Sequence, residues 1–361
     1  MAQNAKIRLT LPPEAERYVR RDAPVGVRLL AAGGALPLQA VDLATVLFAL
    51  LHDPDEKVKD RARESLEKLP ANVLDTVLSG ETHPALLSYL AQVHKDDAER
   101  IERIALNKAA DDRTFVFLAS LPHRRVVDIV ANNQERMLRC AEIVEVLGEN
   151  PLTGRATIDR ILAFMGIDRP EAEVVEEGDP TTDLAPDEIT DEAAVAALRA
   201  LLGDDTGSFA SSLLDDDVEL DPDDQNSLFA LVQKMTVMQK VKLARLGNKE
   251  ARGLLVRDRN KIVATAAIRS PKISDKEVEG FSKARNISDE ILRIIANNRE
   301  WTRNYQVKLG LATNPKCPVP SAMKFLNFLQ DRDLKSIMKS KDVPSAISVH
   351  ARRLLQKKGK I

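Results

Sequence analysis

Basic and aromatic side chains lie close together towards the C-terminal end of the sequence, in a combination that can bind an anionic partner. Guanidinium groups bind carboxylates and phosphates, and aromatic rings can stack on a base or fill a pocket in a partner protein. We therefore predict that these side chains bind a partner. The candidate partner-binding residues are Lys242, Arg245, Arg252, Arg257, Arg259, Arg293, Asn298, Arg299, Trp301, Arg303 and Tyr305.

The charges are distributed unevenly along the chain, and this distribution bears on the nature of the partner. Residues 226–361 contain 29 Lys and Arg against 11 Asp and Glu, or about +18, whereas residues 169–225 contain 19 acidic residues against 2 Arg, or about −17. A basic field of this size can hold nucleic acid, an acidic protein, the inner surface of a membrane or the chain's own acidic stretch. It is equally typical of a solvated surface with i,i+4 ion pairs.

Two asparagine pairs, Asn132-Asn133 and Asn297-Asn298, occur at matching positions of an internal repeat. Amides presented in successive repeats can bind a peptide backbone, as they do in armadillo-type grooves. Asn also tolerates the left-handed conformation at the C-terminus of a helix and bonds to its own turn. We favour the second interpretation, a helix cap. Asn150 and Asn314 precede prolines and are interpreted as helix stops of the same kind.

The histidines, cysteines and acidic residues do not have the spacing of known catalytic or metal-binding motifs. The five histidines show no HxH, HExxH or His-Glu pattern. Cys140 and Cys317 lie far apart in the sequence, and we interpret both as small buried hydrophobic residues. The alternating acids of residues 215–223 lack the Gly and Glu of a calcium loop. Dinucleotide-binding, P-loop and nucleophile-elbow patterns are missing from the sequence. We therefore predict no catalytic residue, no metal site and no cofactor, and we expect the chain not to be an enzyme.

The elements that must position the candidate residues are repeated helices. Residues 129–135, IVANNQE, reappear as residues 294–300, IIANNRE, and matching residues continue on both sides at an offset of 163 to 165. Within each copy a shorter period of 43 to 44 residues joins Asn107 to Asn150 and Pro271 to Pro315. Periods of this length with two or more helices belong to HEAT and armadillo arrays, in which stacked neighbours bury the core.

A segment near the N-terminus resembles a HEAT repeat. Its apolar residues form two facing helical stripes separated by Asp53-Pro54, and they are Leu47, Leu50, Leu51, Val58, Ala62, Leu66 and Leu69. The duplicated pattern is similar to bacterial helical-repeat proteins, including leucine-rich-repeat-variant relatives. The resemblance implies an α-solenoid fold and no particular activity, and the clustered cysteines that hold an iron-sulfur cluster in such relatives are missing from this sequence.

These patterns together predict an all-α α-solenoid of HEAT-like repeats in two arms. We expect an N-terminal arm at 1–168, an acidic and partly disordered linker at 169–225 with short apolar stretches that dock elsewhere, and a basic arm at 226–361. The favoured function is a non-catalytic scaffold or adaptor that binds a protein or peptide partner, and nucleic-acid binding through the basic arm is the alternative. The first residues lack a signal-peptide layout and no apolar run is long enough to span a bilayer, so the expected location is cytoplasmic.

Overall fold

The computed structural model describes residues 9–167, residue 213 and residues 222–360. Within these ranges every regular element is helical and no strand occurs, which confirms the predicted all-α, α-solenoid class. The chain divides into two compact units, residues 1–154 and 155–361. Residues 169–212 and 214–221 of the predicted acidic linker, including most of its short apolar stretches, lie outside the described residues. Leu213 is described, and it is buried with its carbonyl oxygen accepting a hydrogen bond from the Asn248 backbone N–H at 2.6 Å.

The N-terminal unit contains eleven α-helices between residues 9 and 154, the part of it that the structure describes. They are α1 (Pro13–Glu16), α2 (Val25–Ala32), α3 (Ala40–Leu50), α4 (Glu56–Glu67), α5 (Ala71–Ser79), α6 (Pro84–Val93), α7 (Ala98–Leu106), α8 (Asp112–Ser120), α9 (Arg124–Asn132), α10 (Gln134–Arg139) and α11 (Ala141–Glu149).

The C-terminal unit contains eleven α-helices and one 3-10 helix, Trp301–Arg303, in its described residues. The α-helices are α12 (Arg155–Phe164), α13 (Pro222–Lys234), α14 (Val237–Leu246), α15 (Lys249–Leu255), α16 (Lys261–Ile268), α17 (Asp275–Lys283), α18 (Asp289–Asn297), α19 (Tyr305–Thr313), α20 (Val319–Leu326), α21 (Asp331–Lys339) and α22 (Ser345–Lys357).

Two helices differ in place from the sequence-based expectation. The sequence assigned residues 155–164 to the first arm, but α12 packs on α16 in the C-terminal unit, where Asp159 forms a buried ion pair with Arg269 at 2.8 Å. Helix α13 begins at Pro222, inside the stretch expected to be linker. Both segments carry enough apolar residues to form a buried stripe, including Ile158 and Leu162 in α12 and Leu228 and Val232 in α13.

The predicted facing stripes form the contact between α3 and α4. Leu47 and Leu50 on α3 and Val58, Ala62 and Leu66 on α4 are at most 1% exposed. The Asp53-Pro54 turn has a second role that the sequence did not reveal. The Asp53 carboxylate is buried. Both of its oxygens accept from Arg28 Nη1 on α2, and Oδ1 also accepts from the Asp55 backbone N–H at 2.9 Å. The turn therefore ties α2 to the α3 and α4 pair.

A helical unit recurs among the described residues, and a buried asparagine closes each of three copies. It has three α-helices, with the short helix α10 added in the second copy and the 3-10 helix in the third. The first and last α-helices pack together in α5 to α7, in α8 to α11 and in α17 to α19. Asn107, Asn150 and Asn314, the closing asparagines, follow the last helix of each copy. Each donates both amide hydrogens to two carbonyl oxygens at the C-terminus of the first helix, at 2.7 to 3.0 Å. Carbonyls at a helix end have no partner within the helix, so the closing asparagines satisfy them.

A fourth copy, α14 to α16, uses different residues for the same bonds. Ser270 stands where the other copies have asparagine, and its hydroxyl donates to the Arg245 carbonyl at 3.4 Å. Arg252 supplies the other donor, from Nη1 to the Gly247 carbonyl at 2.8 Å. The same guanidinium forms a bidentate ion pair with Glu277 on α17, with both bonds at 2.9 Å. Arg252 therefore joins the fourth copy to the next one.

Gly310 allows α19 to approach α17 closely, and this contact gives a testable stability prediction. A Cβ at residue 310 would lie 2.2 Å from Ser282 Oγ and 3.1 Å from Ser282 Cβ. Ser282 is fully buried and donates to the Glu279 carbonyl, so it has no room to move. We expect Gly310→Ala to lower the free energy of unfolding by about 1–3 kcal/mol, because overpacking forces helices apart. Urea unfolding followed by the fluorescence of Trp301, the only tryptophan, measures it.

Gly280→Ala is the matched control for that substitution. Gly280 lies within α17, is exposed, and a Cβ there would meet no atom within 4 Å. Alanine has a higher helix propensity than glycine, so this substitution should raise the free energy of unfolding by up to about 1 kcal/mol. Equal effects of the two substitutions would contradict the close approach at Gly310.

His94 makes the stability of the N-terminal unit depend on pH. Its imidazole is buried, and Arg100 Nη1 lies 3.1 Å from Nδ1; since a guanidinium only donates, Nδ1 accepts and the ring is neutral. Burial, and then the charge of Arg100, hold the pKa of His94 below its ordinary value of 6.5. The stability from the neutral ring is complete above about pH 6.5 and is lost as the pH falls below it.

Calorimetry of the full chain between pH 7.5 and pH 5 tests this dependence. The N-terminal transition of the wild type should fall in temperature over that range, and His94→Gln should remove part of the slope. His52→Gln serves as the control because His52 belongs to the same unit and is exposed. An unchanged slope in His94→Gln would refute the assignment.

The remaining sequence-based expectations concern membranes, cysteines and metals. No helix among the described residues has both the length and the apolar character to cross a membrane. Cys317 is buried as predicted, and burial raises the pKa of its thiol to about 11, whereas Cys140 is only half-buried. In the described ranges, no three His, Cys, Asp or Glu side chains are grouped to hold a metal ion.

Candidate binding surface of the C-terminal unit

Two of the eleven candidate residues are buried and bond within the protein. Arg252 is 1% exposed and bonds to Gly247 and Glu277, as described above. Asn298 is 6% exposed, and its Oδ1 accepts from the backbone N–H groups of Glu300 at 2.9 Å and Trp301 at 3.3 Å. The structure therefore does not place these two side chains where a partner would reach them.

The paired asparagines act as caps, with a geometry that differs from the expected one. Asn133 and Asn298 have φ of −89° and −78°, so neither adopts the left-handed conformation predicted for it. Asn133 accepts from the Arg136 backbone N–H at 3.2 Å and thereby caps the start of α10. Asn298 caps the 3-10 helix in the same way. Asn133 is the single junction residue between α9 and α10. Asn298 ends α18, and Arg299 and Glu300 separate it from the 3-10 helix.

Four candidates lie on the α14 to α16 copy of the repeat. Lys242 on α14 and Arg257 and Arg259 in the turn between α15 and α16 are exposed. Arg245 is half-buried and donates from Nη1 to the Gly166 carbonyl at 2.8 Å. Arg257 donates to the Gly253 carbonyl and, from Nε, to Asn286 Oδ1 at 3.2 Å. Arg245 and Arg257 therefore already hold neighbouring segments in place.

The other five candidates lie together on the α17 to α19 copy. Arg293 projects from α18, Arg299 and Arg303 flank the 3-10 helix, and Trp301 and Tyr305 follow on the 3-10 helix and α19. These three elements pack against one another. The three arginines are exposed, and the two aromatic rings are partly exposed. Arg293 lies 4.0 Å from Asp289, and no acidic side chain of the described residues pairs with Arg299 or Arg303.

Phe328 extends this cluster, although no sequence pattern singles it out. Its ring is 63% exposed, and the ammonium group of Lys308 lies 5.1 Å from the ring centroid, a cation–π contact. Lys308 lies one helical turn after Tyr305 on α19, so both side chains reach the segment between α20 and α21. We name Arg299, Trp301, Arg303, Tyr305, Lys308 and Phe328 the aromatic–basic surface.

Tyr305 fixes one side of the aromatic–basic surface. Its phenol donates to Asp333 and accepts from the Gln330 backbone N–H at 3.0 Å. Burial, and then the bond to the Asp333 carboxylate, raise the pKa of Tyr305 above 10. The phenol therefore stays protonated at neutral pH and joins α19 to the start of α21. Because its polar atom is already bonded, the ring offers a partner its apolar face.

The matching place in the N-terminal unit carries ion pairs in place of aromatic rings. Arg136 and Arg139, on α10, both bond to Asp112, and Arg136 also lies over the Phe115 ring at 4.1 Å. At the offset of 165 the equivalents of these two arginines are Trp301 and Asn304. The repeat framework is shared, but only the C-terminal copy presents a tryptophan between two arginines that make no ion pair among the described residues.

Comparison with known protein families, with curated proteins and with solved structures gives no match to this chain. The chemistry available at the aromatic–basic surface is therefore the basis for a functional argument. Guanidinium and ammonium groups donate hydrogen bonds to carboxylates, and the rings of Trp301 and Phe328 supply apolar contact area. Lysine, arginine and aromatic side chains in this arrangement can bind an anionic surface that also has apolar parts.

Proposed function

We propose that this chain is a non-catalytic protein-interaction scaffold that binds an acidic partner protein on its aromatic–basic surface. The observation that carries the proposal is the exposure of the Phe328 ring beside Lys308. Trp, Tyr and Arg are the side chains that contribute most to binding energy at protein interfaces. Here they lie on neighbouring helices, where bonds from Tyr305 and Asn298 fix the backbone before any partner binds.

The mixed character of the surface favours a protein over a nucleic acid as the partner. Asp333 and Glu300 lie among the basic side chains, and a phosphate backbone would approach both of them. Single-stranded nucleic acid binds best where several aromatic rings follow one another along a basic groove. A folded acidic protein, in contrast, can place carboxylates at Arg299 and Arg303 and an apolar side chain at Phe328.

Three full-length variants test the proposal. Phe328→Ser removes the exposed ring, Arg299→Glu with Arg303→Glu reverses two charges on the surface, and Lys339→Glu with Lys341→Glu reverses two exposed charges elsewhere in the same unit. Each protein is immobilised and used to capture proteins from the native cell extract, with quantification by mass spectrometry. The captured amount of at least one protein should fall about tenfold or more with the first two variants. Truncation of a hot-spot side chain lowers the binding free energy by on the order of 2 kcal/mol.

The same proteins are assayed on duplex DNA at about 50 mM and about 200 mM salt. A phosphate-binding surface loses affinity steeply over that range. Strong, salt-sensitive DNA binding, together with unchanged protein capture by Phe328→Ser, would support the nucleic-acid alternative and overturn the scaffold proposal. Equal losses of capture in the two charge-reversal variants, with unchanged capture by Phe328→Ser, would show that net charge alone attracts the captured proteins.

A further inference from the structure

The N-terminal unit has a groove of about 860 Å³ that the aromatic–basic surface does not involve. It lies between the start of α3, the segment joining α5 to α6 and the segment joining α7 to α8. A volume of this size is within the range of specific ligand sites, about 300–1,000 Å³. The lining side chains that matter here are Asp42, Thr45, Glu81, Thr82, His83 and Leu106.

The polar atoms that face the groove are mainly acceptors. The Thr45 hydroxyl donates to the Val41 carbonyl at 2.7 Å and the Thr82 hydroxyl donates to the Val77 carbonyl at 2.5 Å, so both hydroxyl hydrogens are already used inside the protein. Asp42 is half-buried and Glu81 is exposed, and no basic side chain of the described residues pairs with either carboxylate. Two unpaired carboxylates beside hydroxyl oxygens favour a ligand that donates hydrogen bonds and carries positive charge.

Two basic side chains also line the groove, and neither neutralises the carboxylates. Lys108 is exposed at the rim, with no ion pair to a described residue. His83 caps α6, where its Nδ1 accepts from the Ala85 backbone N–H at 3.2 Å, so the proton of the neutral ring lies on Nε2.

An aliphatic side chain and a rigid wall complete the groove. Leu106, the last residue of α7, is 63% exposed and lines the groove beside Asn107. Asn107, one of the closing asparagines, donates to the carbonyls of Leu78 and Gly80 and thereby fixes the wall. Gly80 packs against α3 so closely that a Cβ would lie 3.1 Å from Val41 Cγ2. The groove is therefore held open by the protein's own bonds before any ligand arrives.

We propose that this groove binds a linear segment of a partner protein that carries a basic side chain next to an aliphatic one. The basic group would lie between Asp42 and Glu81, and the aliphatic group would contact Leu106. Charge complementarity and the exposed leucine identify this ligand, since a segment of opposite charge would meet the two carboxylates. The inference does not rest on the proposed function, because it concerns another unit and a ligand of the opposite charge. Together the two sites would allow one chain to hold two different partners.

The probe is an eight-residue peptide with one arginine between two leucines in a glycine and serine background, labelled with a fluorophore and a photo-crosslinking group. Binding to the full chain is measured by fluorescence anisotropy at about 200 mM salt, where interactions with the acidic residues 169–225 are screened. Asp42→Asn with Glu81→Gln should weaken binding about tenfold, and Leu106→Ser should weaken it severalfold. All three residues have solvent-accessible side chains, so the variants are expected to fold.

The matched control is Asp96→Asn with Glu135→Gln, which removes two exposed negative charges of the same unit outside the groove. It should bind the probe as the wild type does, and crosslinks should map to residues 79–84 and 106–109. Equal weakening by the control pair, equal binding of a peptide with glutamine in place of arginine, or crosslinks confined to residues 169–225 would each overturn the proposal. Failure of the Phe328→Ser experiment would leave this result unaffected.

Discussion

Replacing Asn314 with alanine is expected to lower the free energy of unfolding of the C-terminal unit by about 2–4 kcal/mol, because it leaves one buried and one partly buried carbonyl oxygen without the amide donor. Asn314 is 4% exposed, and its amide donates to the carbonyls of Ser282 and Ala284 at 2.9 Å each. Its Oδ1 also accepts from the Lys316 backbone N–H at 3.0 Å. Asn314→Asp should cost at least as much, since a carboxylate cannot donate to either carbonyl.

Urea unfolding followed by Trp301 fluorescence measures the effect in the unit that contains Asn314. Asn297→Ala is the control, because Asn297 is exposed at the end of α18 and is expected to change stability by less than about 0.5 kcal/mol. Asn107→Ala should have a similar cost in the N-terminal unit, as measured by calorimetry. If Asn314→Ala were as stable as Asn297→Ala, the closing asparagines would not have the role assigned to them.

Replacing Arg252 with methionine is expected to have the larger effect, a loss of about 3–5 kcal/mol, because it removes the cation that pairs with the Glu277 carboxylate, whose side chain is 12% exposed. The Gly247 carbonyl also loses a donor. Methionine keeps most of the buried volume, so the loss reports the polar contacts. Arg252→Lys should recover little of the loss, since a single ammonium group cannot make the bidentate pair and the carbonyl bond together.

Arg285→Met is the matched control for Arg252→Met. Arg285 also forms an ion pair at 2.8 Å, with Asp342, but these two side chains are 65% and 63% exposed. Solvent screens such pairs, and we expect a change of no more than about 1 kcal/mol. Comparable losses in the two variants would show that burial does not determine the effect.

The pH dependence of the Arg252 variant supplies a second measurement. Burial by itself would raise the pKa of Glu277, but hydrogen bonds from Arg252 and Ser274 outweigh burial and lower it below 4.5. The stability from this carboxylate is present above about pH 4.5 and is lost as the pH falls below it. The difference between the wild type and Arg252→Met should therefore become smaller under acidic conditions, as followed by urea unfolding at pH 3.5 and pH 7.

The helical repeats could be predicted from the sequence because apolar spacing and internal duplication both indicate them. The facing stripes of Leu50 and Val58 follow from helical periodicity, and the 43-residue step from Asn107 to Asn150 marks equivalent helix ends. The spacing of residues along the sequence does not predict the hydrogen-bond partner of each polar side chain. Asn314 was interpreted as a helix stop, and its bonds reach 30 and 32 residues back along the chain, which no local rule anticipates.

The candidate surface could be predicted only in part from the sequence, for the same reason. Arg252 and Arg299 are the same residue type in similarly basic stretches, yet one is buried against Glu277 and the other is exposed. Phe328 lies between the buried residues Leu326 and Leu329, and only the end of α20 after Leu326 turns its ring outward. Exposure of this kind depends on where a helix terminates, and helix ends are the least determined part of a sequence-based prediction.

The two ways of closing a repeat have different consequences while the chain is being synthesised. A repeat closed by asparagine contains both the donor and the carbonyls it satisfies, so it can finish as soon as its own last helix leaves the ribosome. The repeat closed by Arg252 needs Glu277, which belongs to the following helix, to neutralise the guanidinium. We therefore expect nascent chains that end before residue 277 to leave α14 to α16 open to proteolysis, whereas chains that end just after Asn150 already protect α8 to α11.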